Sequence, residues 1–543
     1  MKKIILGNII TMDENNMFAE AALVNNGLID KVGNKEEIIK LKDDNTEVLD
    51  FNNNYVYPGF IEGHCHGLFA GYRAIGQASL SEALLDYDKY KVIIKKFIED
   101  HPEKDVYLAA GWSEDERVLD HTYLDELCTS KPLIMNTAGG HSCLLNIKAM
   151  ETFNINDDAI KKYGTKLVHV DENGKPTGYI CEEAAVDLLN SIPISLEDAK
   201  KYILNWQDTA FSKGITAVND AGSELVCKDA NIAYNQLDKE GKLKLRTYAH
   251  CIVKDNVDDP TLAIKEIVEK KKNYEGNYYK IIGGKVFLDG VAEARTAWTV
   301  DDYEDEKGYK GSPRFKDEDK MVELLTEASK NNFSIHAHSE GDGATKFMLN
   351  CIKKTQAVTK DYDQRNILAH LHYIKPEDYI NMEQTKSIGA VAPLWTCKWP
   401  GAFDVEVKSF GQRAYNGFTI NSFIKTGNTI IYHSDYPISP ILDISRSVYM
   451  AERRTAPELV DEGVEKYQRN IEEAVTRLDS LKALTINPAY AFKQEDKIGS
   501  IEKGKIANFA VLDKDLLHED IDKLTSTKTL ATIVDGEIVY KAN

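Results

Sequence analysis

Val56-Tyr-Pro-Gly-Phe-Ile-Glu-Gly-His64-Cys-His66-Gly67 carries an apolar run into two histidines one residue apart. In an extended chain, side chains at i and i+2 share a face. His64 and His66 can therefore turn their imidazoles toward one point, and imidazole is the commonest protein ligand for zinc-class metals. One H-x-H is weak evidence alone, because two polar residues on a strand face read the same way. Its weight comes from what recurs further along the chain.

Counting Val56–Ile61 as the first strand, seven more strand candidates follow. They are Ile215–Asn219, Leu245–Ile252, Lys280–Leu288, Phe333–His338, Asn366–Leu371, Gly389–Leu394 and Thr429–Tyr432. Helical stretches such as Ala230–Leu237, Thr261–Asn273, Asp317–Asn331 and Gly343–Thr355 fill several gaps. Eight strands alternating with helices predict an α/β fold, a (β/α)8 TIM barrel. The segment of roughly 72–210 interrupts the alternation. It reads as mostly helical (Ser81–Glu99, Leu196–Lys213), with a short strand at Asp105–Gly111 and a Gly-rich turn at Gly139-Gly140, and is expected to roof the site.

Both ends of the chain read as β. Residues 3–10, a hairpin turning at Asn26-Gly27, a short helix from Glu36 to Lys42 and Glu47–Phe51 form one half. Ile498–Lys505, Phe509–Asp513 and a hairpin turning at Asp535-Gly536 form the other. Neither half has enough strands to stand alone. The expected organisation is a small composite β-sandwich domain from 1–55 and 493–543, with the barrel domain occupying 56–492.

The 543 residues leave room for one large domain and a smaller one. A net charge of −20 argues against nucleic acid and anionic membrane surfaces as partners. Eight cysteines without a C-x-x-C pair suit reduced thiols and a cytoplasmic location. No apolar run is long enough for a transmembrane helix, and the N-terminal apolar run is too short for a signal peptide.

Barrel enzymes carry their chemistry at the C-terminal ends of the strands. His64 and His66 end the first strand, His336 and His338 the fifth, His370 and His372 the sixth, and His433 precedes Asp435 at the eighth. Seven of the thirteen histidines thus fall at four strand ends. On the fourth strand Lys285, Phe287 and Asp289 share a face. A lysine inside an apolar strand must be paired, neutral or modified. A Lys285–Asp289 ion pair is one reading; a carbamylated Lys285, an anionic oxygen ligand able to bridge two metal ions, is the other.

His64-x-His66, Lys285, His338, His370 and Asp435, in this order, resemble the metal-dependent amidohydrolase superfamily. Flanking segments resemble its amidohydrolase family three branch, which includes N-substituted formamide deformylase-like proteins. They are Pro58–His66, Gly140-His141-Ser-x-x-x-Asn146, Pro176-Thr-Gly178, Gly214–Asp220, Lys285–Gly290 with Arg295-Thr-Ala297, His338-Ser-Glu-Gly-Asp342, His433-Ser-Asp435-Tyr-Pro and Ile498–Phe509. The resemblance spans essentially the whole chain. It implies metal ligation by His64, His66, His338 and His370, with Lys285 a ligand where carbamylated. Asp435 binds or adjoins the metal and shuttles the proton. The implied cofactor is a divalent metal, zinc first, as one or two ions. The implied catalytic groups are Asp435, Lys285 and His338, and the implied partner is a small-molecule substrate.

Three departures bear on the substrate. Gly343 stands where the branch carries arginine, Ala369 precedes the sixth-strand histidine in place of Glu or Thr, and His372 stands where Gln is common. His141 is expected to touch substrate or cap a loop. Arg295 is expected to bind an acidic group or hold a carboxylate such as Glu293. Trp112, Trp395 and Trp399 are read as pocket or packing aromatics, and Asp342 as substrate-binding. The expected reaction is hydrolysis of an amide-type C–N bond in a small molecule by metal-activated hydroxide. Deamination or cyclic-amide hydrolysis at the same centre is the enzymatic alternative. A non-catalytic binding or regulatory protein on the same barrel is the alternative from another class. A homodimer is compatible with all three.

Overall fold

The computed structural model describes residues 2–542, apart from 82, 84, 114–118, 138–140, 256, 461 and 462, and the side chain of Asn190. The expected turn at Gly139-Gly140 lies outside the described residues. The chain forms two compact units: Met1–Gly67 with Trp206–Leu225 and Asn231–Asn543, and Leu68–Asn205 with Val226–Ala230.

The first unit contains an eight-stranded parallel sheet. In chain order its strands are β1 (Phe60–Cys65), β2 (Ile215–Asp220), β3 (Arg246–Ile252), β4 (Tyr279–Phe287), β5 (Ser334–Ser339), β6 (Ile367–His370), β7 (Ile388–Val391) and β8 (Ile430–Tyr432), each bonded to the next. Just past the strand ends, Asp435 N donates to His64 O (3.2 Å) and His66 N to Tyr436 O (2.9 Å). These two bonds tie the chain after β8 to β1, as a closed (β/α)8 barrel requires. Burial on both faces explains the near-continuous apolar strand sequences.

The same unit holds a seven-stranded sheet made from both ends of the chain. Its order is Glu537–Lys541, Thr529–Val534, Phe509–Leu512, Thr46–Pro58, Lys2–Ile10, Phe18–Asn25 and Leu28–Gly33. Period-2 alternation sends Ile5 and Ile9 into one core with Val56, Phe509 and Ile533. Ile4 and Leu6 enter another with Leu23 and Ile38. Both hairpins turn where expected: Asn26 and Gly27 have φ of 50° and 81°, and Asp535 and Gly536 have 53° and 77°, the left-handed pair of a type I′ turn.

The expected first strand, Val56–Ile61, is two strands. Val56–Pro58 end the long Thr46–Pro58 strand, whose partners are Phe509–Leu512 and Lys2–Ile10. Phe60 begins β1, its N–H donating to Gly214 O at 3.0 Å. Gly59 is the transfer point, and it must be small: a Cβ there would lie 2.1 Å from Thr216 Oγ1.

The second unit corrects the mostly helical reading of 72–210. It carries helices Tyr87–Asp100 and Glu183–Ser191 but also a six-stranded sheet, ordered Val168–Val170, Pro176–Cys181, Ser142–Leu145, Leu133–Thr137, Tyr107–Trp112 and Ala78–Ser79. Most of these strands are short apolar runs without alternation, which periodicity cannot tell from buried helix.

Candidate metal centre

The C-terminal ends of β1 and β8 meet at Asp435. Its Oδ1 lies 3.2 Å from both His64 Nε2 and His66 Nε2. These three side chains place one ligand atom each within 4.8 Å of one another, a spacing that can hold a metal ion. The rings of His370 and His338 continue the group, at 5.0 Å from His64 to His370 and 4.6 Å from His370 to His338. His433 packs 5.2 Å from His64 and 5.1 Å from His370. His64, His338, His370, His433 and Asp435 are buried, and His66 is half-buried.

Two residues of the cluster hold left-handed backbone. His370 and Asp435 have φ of 81° and 54°, left-handed values that non-glycine residues adopt at a cost and mostly at functional sites. Glu62 steadies both strands, since its Oε1 accepts from His64 N (3.1 Å) and Ser434 N (3.0 Å). Its pKa rises to about 7, chiefly through burial.

The electrostatics suit neutral imidazoles around a carboxylate. Burial pushes the pKa values of His64 and His370 well below the ordinary range, and that of His433 to about 4. Burial alone would raise the Asp435 pKa. The hydrogen bond with His66 and the surrounding imidazoles outweigh it, holding the carboxyl below its ordinary value. Neutral nitrogens and a carboxylate are the donor set of a zinc-class site. Among the described residues, Lys285 Nζ, His370 Nδ1 and both His433 ring nitrogens are buried without a hydrogen-bond partner. Buried polar atoms are normally satisfied, so the side chains fit a metal ion and its ligands.

Lys285, on β4, is 1% exposed. Burial brings its pKa down to about 7, opposed by Asp435. Its ammonium lies 5.0 Å from the Phe287 ring centre. The Lys285–Asp289 ion pair is absent among the described residues, because Asp289 has other partners. Its Oδ1 accepts from His338 Nδ1 (3.0 Å) and Glu340 N (3.1 Å). Its Oδ2 accepts from Gly341 N (2.8 Å) and Trp298 N (2.9 Å). With Nδ1 bonded to Asp289, His338 has Nε2 left to offer a metal, the arrangement usual for a metal-binding histidine.

His372 does not join the ligand group. Its Nε2 bonds Glu406 Oε1 at 2.8 Å and its Nδ1 stands 3.5 Å from Glu340 Oε2. Glu406 Oε2 accepts from Arg469 Nη2 at 2.5 Å. Burial disfavours the imidazolium, but the two carboxylates outweigh it and raise the pKa to about 9.

The remaining expected site residues are dispersed. Trp395 stacks 5.5 Å from His370 and lies edge-on to His433 at 5.6 Å. Trp399 Nε1 bonds Leu394 O at 3.2 Å. Asp342 accepts from Val300 N at 2.8 Å and stands 3.5 Å from Lys375. Arg295 pairs with Asp305 at 3.0 Å and Glu306 at 2.8 Å rather than with Glu293. In the second unit, Trp112 belongs to a hydrophobic core and its Nε1 donates to Tyr87 OH at 3.3 Å. Also in that unit, His141 is exposed and faces Glu182 at 3.3 Å. Sequence reasoning missed the second tier of Glu62, Asp289, Glu406 and Arg469. Of these only Asp289 left a signal, its place on the Lys285 face.

A barrel with a ligand-type cluster at its C-terminal strand ends suits metal-dependent chemistry, and its family match makes this chain a hydrolase acting on carbon–nitrogen bonds. The chain belongs to the amidohydrolase family, whose model matches residues 47–540. It is 26% identical over 555 residues to N-substituted formamide deformylase of Arthrobacter pascens, covering 99% of this chain and 98% of that protein. Protein LONG AFTER FAR-RED 3 of Arabidopsis thaliana is 24% identical over 550 residues, 98% and 90% of the two chains. Among solved structures, an uncharacterized metal-dependent hydrolase from Pyrococcus horikoshii OT3 superposes with a TM-score of 0.76 at 20% identity, covering 96% of this chain and 99% of that one. No helix among the described residues is long and apolar enough to cross a membrane.

Proposed function

We propose that this protein is a divalent-metal-dependent hydrolase that cleaves an amide-type C–N bond in a small molecule. The observation that carries the reading is the convergence of His64 Nε2, His66 Nε2 and Asp435 Oδ1, at 3.2 Å, at the barrel mouth. His64, His66, His338 and His370 would hold the ion together with Asp435, and a carbamylated Lys285 would add an oxygen ligand. A zinc-class ion there would supply Lewis acidity and bring the pKa of bound water to about 7.

The chain's own groups do the rest. The Asp435 carboxylate, kept ionised by its histidine neighbours, accepts the proton of the attacking water and returns it to the leaving nitrogen. Asp289 keeps His338 in its working tautomer. Trp395, flat against His370, gives the mouth an apolar wall that positions substrate. The similarity to a formamide deformylase over nearly the whole chain supports an N-formyl or N-acyl substrate. The test is a panel of N-formyl, N-acyl and cyclic amides with metal-replete protein, scored separately for amine and ammonia. Amine release supports the reading; ammonia without amine makes the protein a deaminase. A metal-replete protein that turns over nothing in the panel removes the proposed substrate class.

A further inference from the structure

We propose that His336 is a positioning residue for the metal centre: its Nε2 accepts the Nδ1 proton of His64 and holds His64 in the tautomer whose Nε2 faces Asp435. The inference rests on the metal-centre reading above and assigns a partner that this reading does not use.

The two imidazoles meet nitrogen to nitrogen, His64 Nδ1 to His336 Nε2 at 2.8 Å. Their ring centres lie 4.7 Å apart at 63°. Both residues are fully buried. A hydrogen bond between them needs one donor and one acceptor. His64 Nε2, 3.2 Å from Asp435 Oδ1, is the atom presented to the centre, and a ligand nitrogen must be free of its proton. The His64 proton then resides on Nδ1, and His336 Nε2 is the acceptor.

The strand geometry shows why His336 occupies this place. His336 and His338 are two residues apart on β5. His338 pairs in register with Phe287 at the end of β4, and His336 with Lys285, one step deeper. The H-x-H of β5 thus divides its work: the outer histidine faces the centre, and the inner one supports a histidine on β1. Ligand histidines usually donate to a carboxylate, a carbonyl or water; here the acceptor is a second imidazole. His336 is itself backed edge-on by His250, at 5.0 Å. That ring is fixed as well, since Asn219 Nδ2 donates to its Nδ1 (2.8 Å) and its Nε2 donates to Ser334 Oγ (3.0 Å).

The test compares His336→Gln with His336→Asn in the full-length, metal-loaded chain. The glutamine amide oxygen reaches about where Nε2 stood and can accept the same proton. Asparagine is equally polar but one methylene too short. The readouts are metal per chain, the rate of metal loss to a chelator, and melting of the metal-free protein. The expected result is release roughly 10–100-fold faster for His336→Asn, with His336→Gln close to wild type and similar metal-free melting for both. Equal, wild-type release from both variants overturns the positioning role and leaves the metal reading standing. Equally fast release from both overturns the acceptor argument. A wild-type protein that takes up no metal fails earlier, at the metal reading, and takes this proposal with it.

Discussion

His338 Nδ1 lies 3.0 Å from Asp289 Oδ1, and the same carboxylate gathers the backbone N–H groups of Glu340, Gly341 and Trp298. One buried side chain therefore aims a candidate ligand and pins the loops after β4 and β5. Asp289→Asn keeps the shape but points an amide N–H₂ at N–H donors. At about 1–3 kcal/mol for each buried donor left unsatisfied, the variant should lose on the order of 2 kcal/mol of stability. It should also hold metal 10–100-fold less tightly. Thermal melts and chelator competition check the two effects. A variant that melts like wild type and keeps its metal would show that Asp289 does not position His338.

On the proposed reading, the state of Lys285 sets how many ions the centre holds. Its amine, brought down to about 7 by burial, is substantially neutral at physiological pH and can add carbon dioxide to give a carbamate and a proton. Purified protein grown with metal and bicarbonate is expected to hold close to two ions per chain. His64→Ala should fall sharply, and Lys285→Met should retain one ion at most. Labelled bicarbonate should give a carbamate carbon signal that the Lys285→Met variant lacks. Close to one ion in the wild type, with no carbamate signal, would leave Lys285 as a free amine at a single-ion site.

What could be read from the sequence follows from range. Seven barrel strands were legible, and the first in part, because apolar runs punctuated by helices are local patterns, and the histidines at their ends stood out by spacing. The break at Gly59 was not, because Val56–Ile61 is one continuous apolar run and only tertiary partners divide it between two sheets. The second unit's sheet was lost among short apolar strands. The supporting contacts were also hidden. His64 and His336 are 272 positions apart, and Glu406 and Arg469 are 63 apart. Nothing in either local sequence names the other.

Gly59 offers a test of the fold in isolation from the chemistry. A Cβ there would meet Thr216 Oγ1 at 2.1 Å and Cγ2 at 2.4 Å, inside the barrel wall where neither strand can move freely. Gly59→Ala should destabilise by about 1–3 kcal/mol, the usual range for overpacking. Adding Thr216→Gly removes the clashing atoms and should recover part of that loss. A double-mutant cycle measures the coupling. Strict additivity would place the strain elsewhere.

Glu406 should give the acid side of the stability profile a visible step. Burial alone would raise its pKa, but His372 and Arg469 outweigh burial and hold it near about 2, against an ordinary 4.5. A carboxyl whose folded pKa is depressed contributes stability that is present above the unfolded value and lost as pH falls toward the folded one. The contribution is thus complete above 4.5 and declines between 4.5 and about 2. Glu406→Gln leaves the Arg469 guanidinium, 1% exposed, without its carboxylate. Breaking a buried pair in this way costs about 3–5 kcal/mol at neutral pH. Below about 4.5 the gap between wild type and variant should narrow steadily, as the wild-type carboxyl takes up its proton. Denaturant melts at intervals from pH 7 to pH 3 follow that gap. A gap that does not change with pH would mean that the carboxyl titrates alike in the folded and unfolded chains, so that His372 and Arg469 do not hold its pKa down.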